Sequence, residues 1–256
     1  MPTLFLWLLA TLPAETPPVP PQLKCLVESY PGALCSATAT ALVWCDGTTM
    51  PFHVGPPRHT HQQRLAGGDL ADQMRQVYTP FVPATPPAVD DEPGRIRNEA
   101  FFAKLYGKRK ADVLAHTTTV TWLDGQTLRV QTRFGIDKRL LAVREELRRL
   151  PDNVATPAFK TAGTLAWRAI HGTTRRSTHS YATAIDVGVP VSNYWQWDKP
   201  DGQGKLLFRN RMPLEVVRAF ERHGFIWGGR WYRYDTMHFE FRPELLHRDC
   251  VGPARR

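Results

Sequence analysis

The sequence predicts an α+β fold, in which a small antiparallel sheet packs with helices and an extension precedes them at the N-terminus. Helix-like and strand-like segments are both present, and they do not alternate as they do in a doubly wound parallel fold. A chain of 256 residues, with 42% hydrophobic and 22% charged residues, can bury one substantial core. We therefore expect a globular protein with at most a small appendage.

The N-terminus has two features of a targeting segment. An apolar run at residues 4–12 leads into Leu-Pro-Ala at 12–14, although no lysine or arginine precedes it. The run is too short to cross a bilayer, so we expect no stable membrane span. Residues 13–21 are rich in proline and predict an extended tether. Residues 1–21 are thus a candidate signal peptide with a tether, which predicts a periplasmic or extracellular location.

Four cysteines fit disulfide bonds in such a location. Cys25, Cys35, Cys45 and Cys250 allow three pairings, and the sequence leaves all three open. Their spacing matches no pattern of a structural zinc site.

The first part of the chain after the tether contains one clear strand signal. Residues 41–45 are apolar and run into Asp46-Gly47, which predicts a strand and a turn. A second proline-rich stretch at residues 79–93 separates this part from the rest. We therefore predict an N-terminal extension over residues 22–92 and a second domain over residues 93–256.

The second domain shows the periodicities of helices and of a hairpin. Apolar residues recur at helical spacing over residues 95–110, 137–150 and 213–223, and Gly224 is a typical helix stop. Residues 117–132 carry β-branched residues on both sides of Asp124-Gly125, which predicts a hairpin with a two-residue turn.

The formal net charge of +9 favours an anionic partner: nucleic acid, an anionic membrane or an acidic wall polymer. The basic residues are scattered, and no nucleic-acid-binding module is recognisable. A nucleic-acid binder therefore rests on charge alone, and we expect no nucleic-acid partner. His59 and His61 lie in a polar segment flanked by proline, and we expect both to be exposed.

Two segments combine histidine with carboxylates. His179 and Asp186 are seven residues apart among small residues, and strand alternation puts His238 and Glu240 on one face. Imidazole and carboxylate are ordinary zinc ligands, and three protein ligands leave one position open, as in catalytic sites. From spacing alone, the alternative is a pair of hydrogen-bonded core histidines with an aspartate that caps a turn.

The combined pattern resembles a known family. Ser177-x-His179-x₆-Asp186, the segment 224–231 and Asp235-x-x-His238-Phe-Glu resemble the zinc D-alanyl-D-alanine carboxypeptidases, a family that also holds phage L-alanyl-D-glutamate endopeptidases. Residues 43–52 and 93–98 look like segments of its longer bacterial members. The resemblance extends over roughly residues 42–245.

The resemblance implies a Zn²⁺ ion, carried by the antiparallel sheet, and roles for eight residues. These are the metal ligands His179, Asp186 and His238, the general base Asp235, the carbonyl-polarising Arg168, and the substrate-binding Ser177, Trp227 and Trp231. The two tryptophans have the alternative of packing beneath Gly228-Gly229. Glu240 would support a ligand and would not be the base.

One position departs from the family pattern. Ala182 stands where the family usually has glycine, so a positive φ there would strain the alanine. This departure concerns substrate fit, because the ligand types themselves are unaltered.

The resemblance implies a peptidase that hydrolyses an amide bond in the stem peptides of peptidoglycan with metal-activated water. An aspartate at position 235 favours the endopeptidase type over the D-Ala-D-Ala carboxypeptidase type. The alternative is a non-catalytic wall-binding or zinc-binding protein of the same fold. A phage-type lysin would be cytoplasmic, and the oligomeric state stays open.

Overall fold

The computed structural model describes residues 17–251. The apolar run and cleavage signal predicted at residues 4–14 lie outside the described residues, so the signal peptide stays a prediction. Residues 17–20 belong to no helix or strand, and the first helix begins at Pro21. Among the described residues, no helix has the length and apolarity needed to cross a membrane.

The predicted α+β class is confirmed. The described part of the chain contains eight α-helices: α1 (Pro21–Ser29), α2 (His61–Gly67), α3 (Leu70–Gln73), α4 (Glu99–Tyr106), α5 (Lys110–Leu114), α6 (Ile136–Leu147), α7 (Asp152–Phe159) and α8 (Leu214–Arg222). Its strands are β1 (Leu34–Ala37), β2 (Ala41–Trp44), β3 (Thr49–Pro51), β4 (Thr117–Thr121), β5 (Thr127–Gln131), β6 (Thr161–Gly163), β7 (Ala184–Val187), β8 (Phe225–Trp227) and β9 (His238–Phe241). They form three antiparallel sheets, ordered β1-β2-β3, β4-β5 and β6-β7-β9-β8.

The four-stranded sheet has one apolar face and one polar face. Phe239 and Phe241 of β9 point to the apolar face, where Phe220 of α8 stacks on Phe239 with 3.9 Å between ring centroids. Alternation along the strand sends His238 and Glu240 to the opposite face. Helix α8 therefore covers the back of the sheet and leaves its front for polar chemistry.

The N-terminal part packs against the rest of the chain. A disulfide joins Cys25 of α1 to Cys250, and a second closes the short loop between Cys35 and Cys45. Tyr78 donates a hydrogen bond of 2.7 Å to Glu221 of α8. Leu23 and Leu26 of α1 belong to the same buried core as the phenylalanines of β9. The division into two domains at residue 92 stays a prediction.

Three expectations need correction. The helix predicted over residues 95–110 is divided: the Asn98 side chain caps α4, and Gly107 ends it at φ 129°, before α5 begins. The hairpin turn is longer than two residues, because the strands stop at Thr121 and Thr127. His61 is buried, since its Nε2 lies 2.8 Å from the Glu92 carboxylate, 31 residues further along the chain.

Candidate metal centre

Three side chains with metal-binding atoms converge on the polar face of the sheet. His179 lies in a 3₁₀ turn before β7, Asp186 lies in β7, and His238 begins β9. Asp186 and His238 are direct partners in the β7–β9 register. Their facing atoms form a small triangle: His179 Nε2 to Asp186 Oδ1 is 3.2 Å, His179 Nε2 to His238 Nδ1 is 3.2 Å, and His238 Nδ1 to Asp186 Oδ1 is 3.0 Å.

Hydrogen bonds on the outer side hold each imidazole in one orientation. The Nδ1–H of His179 donates to the carbonyl of Thr164 at 2.8 Å, which leaves Nε2 to face the triangle. The Nε2–H of His238 donates to the Glu240 carboxylate at 3.1 Å, which leaves Nδ1 to face it. Such partners usually fix the tautomer of metal-binding histidines.

The triangle fits a small transition-metal ion such as zinc. Ligand atoms at about 2.0–2.1 Å from a tetrahedral zinc lie about 3.3 Å apart, close to the three separations in this site. Two imidazoles with one carboxylate form a zinc donor set, whereas calcium and magnesium prefer oxygen donors alone. Among the described residues, this is the group of histidine and acidic side chains that could hold a metal ion.

The electrostatics of the site favour a positive charge. Burial opposes protonation of His238. The hydrogen bonds to Asp186 and Glu240, together with the negative charges of these two carboxylates, outweigh the effect of burial and raise the pKa of His238 to about 10. Burial would raise the pKa of Asp186, yet the two histidines hold it well below its usual range. A site that stabilises a protonated imidazole in this way also stabilises a bound cation.

Asp235 lies beside the triangle with an unsatisfied oxygen. Its Oδ1 is buried and has no hydrogen-bond partner in the described part of the chain. Burial, together with the nearby charge of Asp186, raises the pKa of Asp235 to about 6, while His238 and Arg95 act in the opposite direction. An unpaired carboxylate with a pKa near neutrality is a candidate general base.

Arg168 and Ser177 lie around the His179 turn. The Arg168 side chain is exposed and forms no ion pair with a carboxylate among the described residues. Its guanidinium has one long hydrogen bond, 3.4 Å, to the Ala169 carbonyl. Ser177 is buried, and its hydroxyl accepts a hydrogen bond from the His179 amide at 3.3 Å. Ser177 thus caps the turn that presents His179.

The two tryptophans differ in position. Trp227 pairs with Phe239 in the register and shares its apolar face, opposite the metal-binding atoms. It is fully buried, and a side chain at Gly229 would collide with its indole. The prediction that Trp227 contacts substrate therefore needs correction. Trp227 instead packs beneath Gly228-Gly229, as the alternative had it. Trp231 borders the site, with its ring 5.6 Å from that of His238 and 4% of its surface exposed.

Ala182 has the left-handed conformation that its family position suggested. Its φ is 56° and its ψ is 32°, and its amide donates to the His179 carbonyl at 3.1 Å. The chain therefore places an alanine where glycine would be unstrained, directly after the turn that carries His179.

Two further residues near the site were not singled out from the sequence. The Arg95 guanidinium lies 5.1 Å from the centre of the Trp231 ring, and its charge acts on Asp235. Tyr194 forms an isolated antiparallel bridge with Asp235 through the backbone. Arg95 belongs to the segment 93–98 that resembles the family, and this resemblance could have drawn attention to it. Tyr194 comes close to Asp235 through a bridge between residues forty-one positions apart, and no sequence pattern indicates that contact.

The comparisons with known proteins bear on this same stretch. Residues 171–241 match the family model described as D-alanyl-D-alanine carboxypeptidase. The match includes the three candidate ligands and Asp235, so the similarity to this peptidase family lies in the stretch that carries the site. Comparison with curated proteins and with solved structures found no match.

Proposed function

We propose that this protein is a zinc peptidase that hydrolyses an amide bond in the stem peptides of peptidoglycan, of the endopeptidase or D-Ala-D-Ala carboxypeptidase type. The observation that carries the proposal is the triangle of His179, Asp186 and His238 beside the unpaired carboxylate of Asp235. The family match over residues 171–241 supports the same reaction class.

The ion would be held by Nε2 of His179, Oδ1 of Asp186 and Nδ1 of His238. When bound, zinc supplies a Lewis acid that lowers the pKa of water and polarises a carbonyl. Thr164 and Glu240 keep both imidazoles aimed at the ion by accepting their outer N–H groups.

Asp235 would act as the general base. Its Oδ1 accepts a proton from the attacking water and returns it to the leaving amine as the amide bond breaks. Burial raises the pKa of Asp235 above that of an ordinary aspartate, which favours its acceptance of a proton.

Arg168 would stabilise the negative charge that develops on the carbonyl oxygen. Its guanidinium is exposed and free of carboxylate partners among the described residues, so its donors are available to a substrate. Trp231 would form part of the wall of the site. The net charge of +9 also suits a substrate that carries carboxylates.

The proposed location is periplasmic or extracellular. The two disulfides support this location, because such bonds persist in oxidising compartments. A cytoplasmic location is the alternative for a phage-type lysin.

The decisive experiment is digestion of purified muropeptides followed by mass spectrometry, with and without a chelator. We expect new amines from the wild-type protein and none after chelation. His238→Ala should lose both zinc and activity, whereas Asp235→Asn should keep zinc and lose roughly 10²–10⁴-fold in rate. His59→Ala is the matched control, since His59 is exposed and distant in sequence from the site. Full activity in Asp235→Asn would exclude Asp235 as the base.

A second candidate is a zinc-binding wall protein without turnover. The left-handed Ala182 favours it, because strain next to the His179 turn could disturb substrate fit. Zinc binding and wall binding without any new amine from any muropeptide would support this candidate over the peptidase.

A further inference from the structure

A row of buried hydrogen-bonded side chains runs from His238 to the N-terminal helix. Glu240 accepts from His238 through Oε2 at 3.1 Å and from the Arg242 guanidinium through Oε1 at 3.0 Å. Arg242 also donates to Glu244 Oε1 at 2.6 Å, and Glu244 Oε2 accepts from the Tyr30 hydroxyl at 2.6 Å. Each carboxylate in the row thus has its two oxygens committed to different neighbours, and Glu240 Oε2 also accepts from the Thr178 hydroxyl at 3.0 Å.

These side chains are shielded from water. Tyr30, Arg242 and Glu244 are 0% exposed and Glu240 is 1% exposed. A buried charge without its partner is strongly unfavourable, so each member of the row fixes the orientation of the next. Arg97 adds a second cation near Glu240, with its guanidinium nitrogen 3.7 Å from Oε2.

The row joins the candidate metal centre to parts of the chain outside the family match. Tyr30 follows α1, and Arg242 and Glu244 follow β9. The carbonyl of Gly94 accepts another hydrogen bond from Arg242 at 2.7 Å, which ties in the segment before α4. The disulfide between Cys25 and Cys250 anchors α1 five residues before Tyr30.

We propose that Tyr30, Glu244 and Arg242 are positioning residues for His238 and act through Glu240. The inference rests on the proposed metal-binding function of the site. Glu240 holds the Nε2–H of His238, and this contact keeps Nδ1 pointed at Asp186 and His179. The far members of the row keep the Glu240 carboxylate in the orientation that makes this contact.

The test is the zinc dissociation constant of the purified full chain, measured by competition with a chromophoric chelator. Glu240→Gln should weaken zinc binding by roughly 10–100-fold, as for other groups that hold a histidine ligand. Tyr30→Phe and Glu244→Gln should each weaken it by roughly three- to tenfold, at or below the lower end of that range.

Tyr78→Phe is the matched control for Tyr30→Phe. Tyr78 is also 0% exposed and donates to a glutamate at 2.7 Å, but its partner Glu221 has no hydrogen bond to a candidate ligand. Both substitutions remove a buried tyrosine–carboxylate hydrogen bond. Tyr78→Phe also removes the acceptor of the Trp227 amide and of the Arg230 guanidinium, so it should cost at least as much stability as Tyr30→Phe. Only Tyr30→Phe should weaken zinc binding.

A double-mutant cycle separates action through Glu240 from a general loosening of the core. In the Glu240→Gln background, Tyr30→Phe should have no further effect on zinc binding. The visible absorption of the cobalt(II)-substituted protein should shift in Tyr30→Phe and stay unchanged in Tyr78→Phe, because it reports the ligand field directly.

Three outcomes separate the inference from the proposed function. If Tyr30→Phe and Tyr78→Phe bind zinc as tightly as the wild type, the row has no positioning role, while the zinc peptidase proposal stands. If the effects of Tyr30→Phe and Glu240→Gln simply add, Tyr30 does not act through Glu240. If the wild-type protein binds no zinc, both the proposed function and this inference are overturned.

Discussion

The disulfide between Cys25 and Cys250 should stabilise the fold more than the disulfide between Cys35 and Cys45. It spans 225 residues of sequence, whereas the bond between Cys35 and Cys45 spans 10. A disulfide restricts the unfolded chain more when it closes a longer loop. The chain-entropy relation gives about 5.4 kcal/mol at 25 °C for the long loop and about 2.7 kcal/mol for the short one.

The perturbation is replacement of each pair by alanine, which avoids placing a hydroxyl at the fully buried Cys25. The loss in the free energy of unfolding should be about 2.7 kcal/mol greater for the long-range pair than for the short-range pair. Urea unfolding, followed by both circular dichroism and tryptophan fluorescence, measures the two losses and shows whether each transition is two-state.

Equal losses from the two pairs would refute this reasoning, since both the longer loop and the burial of Cys25 predict the greater loss for the Cys25/Cys250 pair. A separate early transition in the Cys25/Cys250 variant would refute it in another way. It would show that α1 and its surroundings unfold on their own and are not held by the shared core.

Three further predictions concern pH, backbone strain and metal. Burial would raise the pKa of Glu92, but the hydrogen bond from His61 and the charge of Arg95 outweigh the effect of burial. Together they lower the pKa of Glu92 from 4.5 to about 2. This depressed pKa contributes up to about 3 kcal/mol of stability, which is present above pH 4.5 and lost as the pH falls towards 2. In Glu92→Gln, the free energy of unfolding should therefore fall less steeply between pH 4.5 and pH 2 than in the wild type. Ala182→Gly should change stability by less than about 1 kcal/mol in urea unfolding, because relief of left-handed strain (about 1–2 kcal/mol) is offset by a lost buried methyl and a more flexible unfolded chain. Ala182→Val should cost more than about 2 kcal/mol, since a β-branched residue fits neither this φ nor the packed site; an equal tolerance of valine would contradict the assigned backbone. Zinc at about 100 times its dissociation constant should stabilise the wild type by about 2.7 kcal/mol and raise its melting temperature, whereas His238→Ala should show no shift.

Local sequence patterns predicted the elements that form between residues close together in the chain. Helix α8 was readable because its apolar face repeats at helical spacing and Gly224, at φ 90°, can end it without strain. The β4–β5 hairpin was readable because its strands are adjacent in the chain. The helix after Gly94 was misjudged at its ends, because the Asn98 cap and the Gly107 stop override an apolar pattern that continues past both.

Contacts between distant segments were not readable in the same way. His61 looked exposed because its partner Glu92 lies on the far side of two short helices. Trp227 looked like a cleft residue because its face of the sheet depends on the register with Phe239. The convergence of His179, Asp186 and His238 was predicted from a resemblance, since spacing alone left hydrogen-bonded core histidines as the alternative.

The same distinction applies inside the metal centre. The stretch 171–241 contains every candidate ligand, yet the groups that orient the two imidazoles receive their own support from outside it. His179 donates to the Thr164 carbonyl before that stretch, and Glu240 accepts from Arg242 beyond it as well as from Thr178 within it. A ligand pattern can therefore persist in a sequence while the geometry of the site changes with residues far from it. In this chain, we expect geometry and ligand identity to be separable, with substitutions such as Tyr30→Phe altering the first while leaving the second intact.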